Sequence, residues 1–139
     1  MQKPYTKKAE KVLEIAKKAS RSMHHSYIGT EHLLIGLLGE GSGAAAKVLS
    51  SAGVDEERIL ELIENLIAPS GNVIVADAGG YSPRILRVLE NAAKEAERFK
   101  NEKVGTEHLL IALIKEADCA AVRLLNTLGI NLQRLYVET

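Results

Sequence analysis

Ala9, Val12, Leu13, Ala16 and Ala19 recur at steps of three and four residues behind Thr6. That spacing lines one face of an α-helix. Thr6 stands where its hydroxyl can cap an unpaired first-turn N–H. The pattern then repeats in shorter units. Leu33, Leu34, Leu37 and Leu38 follow Thr30, with Gly39, Gly41 and Gly43 marking that helix's end. Residues 44–52 form a short third helix stopped at Gly53. Asp55 caps a fourth that carries Ile59, Leu60, Leu62, Ile63, Leu66 and Ile67.

The second half reads the same way. Ser82-Pro83 is a cap followed by proline at the first helical position. Thr106 caps the next helix, a third runs over about 118–128 to Gly129, and a short last helix starts near Asn131. Between the halves lies "APSGNVIVADAGGY", whose Pro, Ser and glycines read as a linker, with "NVIVA" extended and unpartnered.

Shifted by 76 residues the chain matches itself without a gap from Tyr5 to Ile59. Tyr5 meets Tyr81, Leu49 meets Leu125, Gly53 meets Gly129, and "GTEHLLI" at 29–35 returns unchanged at 105–111. The chain is a duplicated unit. Its boundaries read as repeat 1 over 5–67, a linker over 68–80 and repeat 2 over 81–139. Helices this short are marginal alone. The expectation is therefore an all-α fold of two pseudo-twofold-related four-helix repeats sharing one core.

Composition narrows the function. Aromatics are 4% with no Trp, so the core is aliphatic and closely packed. Eighteen Lys+Arg balance eighteen Asp+Glu, which leaves no basic excess for general nucleic-acid binding. The single cysteine, Cys119, excludes an internal disulfide and fits a reducing compartment. The start "MQKPYTKKAEKV" has no signal-peptide core, and no apolar run reaches the ~20 residues of a membrane span. A cytoplasmic protein with no membrane partner is expected. No nucleophile–base pair, metal cluster or G-x-x-x-x-G-K-[ST] loop is present in the sequence, so an enzyme is not expected.

The repeated polar quartet Gly-Thr-Glu-His carries the candidate chemistry. Read as helix starts, Thr30 and Thr106 are caps, with Glu31 and Glu107 at the first helical position and His32 and His108 at the second. First-turn N–H groups make an anion site. A first-turn Glu also favours the helix dipole by about 0.3–1 kcal/mol, which by itself accounts for a Thr-Glu pair.

The doubled unit, "[Y/F]-[T/S]…A-x-x-V-L…GTEHLL…L…G", resembles the N-terminal double-repeat domain of Clp-family AAA+ unfoldases, the ClpC type above all. The resemblance runs from about Tyr5 to the end. It implies two pseudo-symmetric four-helix repeats that dock adaptors and substrates ahead of ATP-driven unfolding and delivery to a peptidase. Partners would be adaptor proteins, arginine-phosphorylated substrates and the Clp ATPase and peptidase machinery. No cofactor is implied within this domain, ATP being used by ATPase domains that the chain lacks. The resemblance also implies a ligand, phosphoarginine, with Glu31 and Glu107 on the guanidinium and Thr30 and Thr106 beside the phosphate. An adjacent Glu would repel a simple phosphate, so the mixed corner selects against phosphoserine. The alternative is a stand-alone double-repeat accessory that docks on the peptidase or ATPase and modulates assembly. A Walker A motif downstream of Thr139 would separate the two.

Other features are read as structural. His24-His25 is a solvated helix-end pair, and Cys119, opposite Gly43 in the alignment, is a small helix-start residue. Lys3, Lys7, Lys8, Lys11, Lys17 and Lys18 form a solvated face open to an acidic adaptor. Asp55-Glu56-Glu57 matches a helix dipole. The copies also differ. "GEGSGAAA" in the first is "KEADCAAV" in the second, and "HHSYIGTEH" is "KNEKVGTEH". The walls of the second pocket therefore change. Gln2 stands where the family often has a Phe, which weakens hydrophobic contacts of that kind.

Overall fold

A computed structural model of the chain describes residues 3–66, 80–117 and 119–139. The expectations for Gln2, Ile67, the linker up to residue 79 with its "NVIVA" stretch, and residue 118 lie outside them. Eight helices are described: α1 Lys7–Ser22, α2 Thr30–Glu40, α3 Ala44–Ser51, α4 Glu56–Leu66, α5 Pro83–Arg98, α6 Thr106–Lys115, α7 Ala120–Thr127 and α8 Leu132–Glu138. The apolar stripes behave as read. Ala9, Val12, Leu13 and Ala16 bury one face of α1, and Ile85, Val88, Ala92 and Ala96 bury that of α5. Thr6 and Ser82 cap these helices, accepting from Ala9 N–H at 3.1 Å and Ile85 N–H at 3.2 Å.

Helix α2 is different, since every residue from Thr30 to Leu37 is buried. A helix covered all round is a core helix, and α2 is packed by α1, α3, α4 and α7. No single helix among the described residues is long and apolar enough to cross a membrane. At Gly36 the α1 backbone comes so close that a Cβ would strike the Val12 carbonyl oxygen. The equivalent position in α6 is Ala112. Gly36→Ala gains about 1 kcal/mol of helix propensity, yet overpacking against backbone costs about 1–3 kcal/mol. A net loss of about 1 kcal/mol by urea unfolding is expected; a stabilised variant would show that α1 moves freely.

The halves interlock by exchange. Tyr5 bridges Val104, and Tyr81 bridges Ile28, the same pair with the repeats swapped. Thr6 N–H donates to the Val104 carbonyl at 2.9 Å, and Ser82 N–H to the Ile28 carbonyl at 3.0 Å. Each repeat's entry segment thus pairs with the segment leading into the other repeat's GTEH corner. Leu34, Leu49, Leu110 and Leu125 are fully buried in one cluster drawn from both repeats. The shared core follows from this exchange.

Candidate functional site

Both GTEH corners are set by how α1 and α5 end. His24 and Lys100, equivalent in the two repeats, take φ 59, a left-handed backbone. The next N–H reaches back, His25 to the Ser20 carbonyl at 3.0 Å and Asn101 to the Ala96 carbonyl at 2.8 Å. This Schellman turn aims His25 inward and brings the exposed Asn101 against His108. His25 is therefore buried, not solvated, and only His24 of the pair is exposed. In repeat 1 the Ser20 hydroxyl also donates to the Tyr27 carbonyl and fastens the approach to the corner.

The cap assignment changes. The N-caps are Gly29 and Gly105, and neither Thr30 nor Thr106 caps its own helix. Each threonine instead caps the other repeat. Thr30 Oγ1 accepts from Ala121 N–H at 3.2 Å in the first turn of α7, and Thr106 Oγ1 from Ala45 N–H at 3.3 Å in the first turn of α3. Helices α3 and α7 have Gly43 and Cys119 at their own N-caps, with no side-chain cap bond. The cap each helix lacks locally comes from 61 or 91 residues away. Cys119 is buried at the start of α7, as read, and burial pushes its thiol up.

The histidines close the corners at the third helical position. His32 Nδ1 accepts from Gly29 N–H at 2.8 Å, and His108 Nδ1 from Gly105 N–H at 2.8 Å. A backbone N–H can only donate, so the ring proton sits on Nε2 in both. His32 then donates to His25 Nδ1 at 2.6 Å, and His108 to Asn101 Oδ1 at 2.9 Å. His25 and Asn101 are the same position in the two repeats. Local pattern does not mark them; the shared offset of seven residues before each histidine does. Burial first, and the neighbouring His25 second, lower His32 to a pKa of about 3.

Ligand atoms of His25, Glu31 and His32 lie within 4.8 Å of one another. This trio is nonetheless no ready metal cage. Ligation through His32 Nε2 would move its proton to Nδ1, against the Gly29 N–H that donates there.

The two glutamates part company. Each carboxylate folds back over its N-cap glycine, where any Cβ would collide with it, so Gly29 and Gly105 are there for space; their φ values of −114 and −99 are ordinary. Glu31 is 3% exposed and accepts from the Tyr27 hydroxyl at 2.7 Å. The Glu107 side chain is 41% exposed. Its Oε1 lies 3.7 Å from His108 Nδ1, a nitrogen already accepting a proton, so this approach is no ion pair. Glu107 and Thr106 border a cleft with Gly43 and Ala44 at the start of α3 and with Lys7 and Lys8 from α1. Lys7 and Lys8 correspond to Pro83 and Arg84; Lys8 donates to the Ser42 carbonyl at 3.3 Å, and Arg84 to the Ala117 carbonyl at 2.8 Å.

Residues 4–128 match the family model described as the Clp repeat (R) N-terminal domain. The chain belongs to that family. A ClpC/MecB protein of Bacillus subtilis (strain 168), a negative regulator of genetic competence, is 39% identical over 130 residues, 94% of this chain. This Clp N-terminal domain spans only 16% of that relative's length. The N-terminal domain of ClpD from Arabidopsis thaliana superposes with a TM-score of 0.74 at 21% identity, covering 96% of this chain and 90% of that one. A ClpV N-domain, solved in complex with a VipB peptide, superposes at 0.72 with 20% identity, covering 95% and 82%. These two structures share the all-helical double-repeat fold.

Proposed function

We propose that this Clp N-terminal domain is the substrate- and adaptor-recognition module of a ClpC-like ATP-dependent unfoldase, and that it binds arginine-phosphorylated proteins at its GTEH corners. One observation carries the reading: the open Glu107 carboxylate shares a cleft with the first turn of α3 and with Lys7 and Lys8. A carboxylate suits a guanidinium. A helix N-terminus with two ammonium groups suits a phosphate. Phosphoarginine joins both charges in one side chain. The Thr106 hydroxyl accepts from Ala45 N–H and keeps its own proton to donate to a phosphate oxygen.

Calorimetric titration with phosphoarginine, with arginine and inorganic phosphate as controls, tests this. Glu107→Ala should weaken the tighter site about tenfold, the scale of one charge-assisted pair on a partly exposed group. Glu31→Ala should have the smaller effect, because Glu31 is covered. Unchanged phosphoarginine binding in the double variant would remove the proposal.

A further inference from the structure

The two corners are spelled alike but are not in the same state, and the difference lies just ahead of them. Tyr27 in repeat 1 corresponds to Lys103 in repeat 2. The Tyr27 ring stacks on His25 at 5.5 Å with an interplanar angle of 5° and meets His32 edge-on at 5.4 Å. His32 is tied in turn to Gly29 and His25. The ring is thus held, and its hydroxyl points at Glu31 Oε2 at 2.7 Å. Burial first, and this hydrogen bond second, push the phenol well above its ordinary range, so it stays a donor. Lys103 is exposed and offers no ring to cover Glu107.

We infer that Tyr27 is a latch on the first corner: its phenol covers the Glu31 carboxylate and occupies one of its oxygens, so that a guanidinium enters only by displacing the phenol, and the two corners take the same ligand with unequal affinity. The inference rests on the phosphoarginine reading for its ligand, but the latch is also readable without any ligand. The carboxylate lies over Gly29 with the phenol as donor. Removing only that hydroxyl leaves a buried carboxylate short of a partner, and solvation then draws it outward. Tyr27 is a positioning residue in this scheme, since it acts through Glu31. The opposite corner is the built-in control: its Glu107 folds over Gly105 in the same way but has no phenol above it, and its side chain is 41% exposed.

The test uses Tyr27→Phe, which keeps the ring packing. In the ligand-free arm, carboxyl groups are labelled with a water-soluble carbodiimide and glycine ethyl ester and read by peptide mass spectrometry. Glu107 should label faster than Glu31 in the parent protein, and Tyr27→Phe should raise Glu31 labelling toward that of Glu107 while leaving Glu107 unchanged. In the ligand arm, Glu107→Ala isolates the first corner, and adding Tyr27→Phe should tighten phosphoarginine binding there by about three- to tenfold, the worth of one hydrogen bond. Glu31 staying protected in Tyr27→Phe overturns the latch, as does weaker binding in the double variant. Raised Glu31 labelling with no phosphoarginine binding in any variant would keep the latch and reject the ligand reading.

Discussion

The double variant Thr30→Val, Thr106→Val should lose about 2–4 kcal/mol of unfolding free energy, with each single variant losing about half. Valine has the threonine shape without the hydroxyl. Each substitution removes the side-chain acceptor of a first-turn N–H in α7 or α3 and leaves that buried N–H, of Ala121 or Ala45, without its oxygen partner. Losing an N-cap costs about 0.5–2 kcal/mol, and an orphaned buried donor about 1–3 kcal/mol. The apolar gain from replacing a hydroxyl by a methyl works in the opposite direction but is smaller, since both positions are already buried. The two caps bridge the same inter-repeat interface, so the loss should appear as one cooperative transition with an unchanged denaturant slope. Thr→Ser at both positions keeps the oxygen and should recover most of the loss. A double valine variant within about 0.5 kcal/mol of the parent would mean that the reciprocal caps contribute nothing.

Those threonines show where the sequence was readable and where it was not. The stripes of α1 and α5, the Thr6 and Ser82 caps and the doubled architecture all follow from spacing, because they depend on neighbours three or four residues away. The duplication even locates the GTEH corners. Thr30, however, looks like an ordinary cap for the helix behind it, and a local pattern cannot reveal that its acceptor serves Ala121 instead. His25 is buried where its pattern implies a solvated residue, for a related reason. A polar residue at a helix end is usually solvated, but the left-handed residue before it turns the chain inward, and the buried His32 needs an acceptor there. The unequal glutamates were legible only in part. The change from "HHSYIGTEH" to "KNEKVGTEH" signalled different walls. It did not say that the copy with the tyrosine would be the covered one, which depends on where a ring lands.

The buried imidazole of His32 should make the domain acid-sensitive over a defined window. Its folded pKa is about 3 against an ordinary 6.5, with burial the larger cause and His25 the smaller. Geometry supports that direction: a second proton would have to enter on Nδ1, which faces the Gly29 N–H. A proton binds the unfolded chain below pH 6.5 but not the folded one. The stability this residue contributes is therefore fully present above 6.5 and falls as pH drops from there toward 3. The slope is about 1.4 kcal/mol per pH unit, so moving from pH 7.5 to 5.5 should remove about 1.4 kcal/mol, before most carboxylates begin to titrate. His32→Gln isolates the effect, because glutamine at the third helical position can accept from the same Gly29 N–H without titrating. Urea unfolding of both proteins across pH 5–8 reads the result. The parent should lose about 1.4 kcal/mol more than His32→Gln between pH 7.5 and 5.5, whatever the other three histidines contribute to both. Parallel curves would show that His32 accepts its proton as readily in the folded domain as out of it, and that the Gly29–His32–His25 chain is not the closed hydrogen-bond network its distances describe.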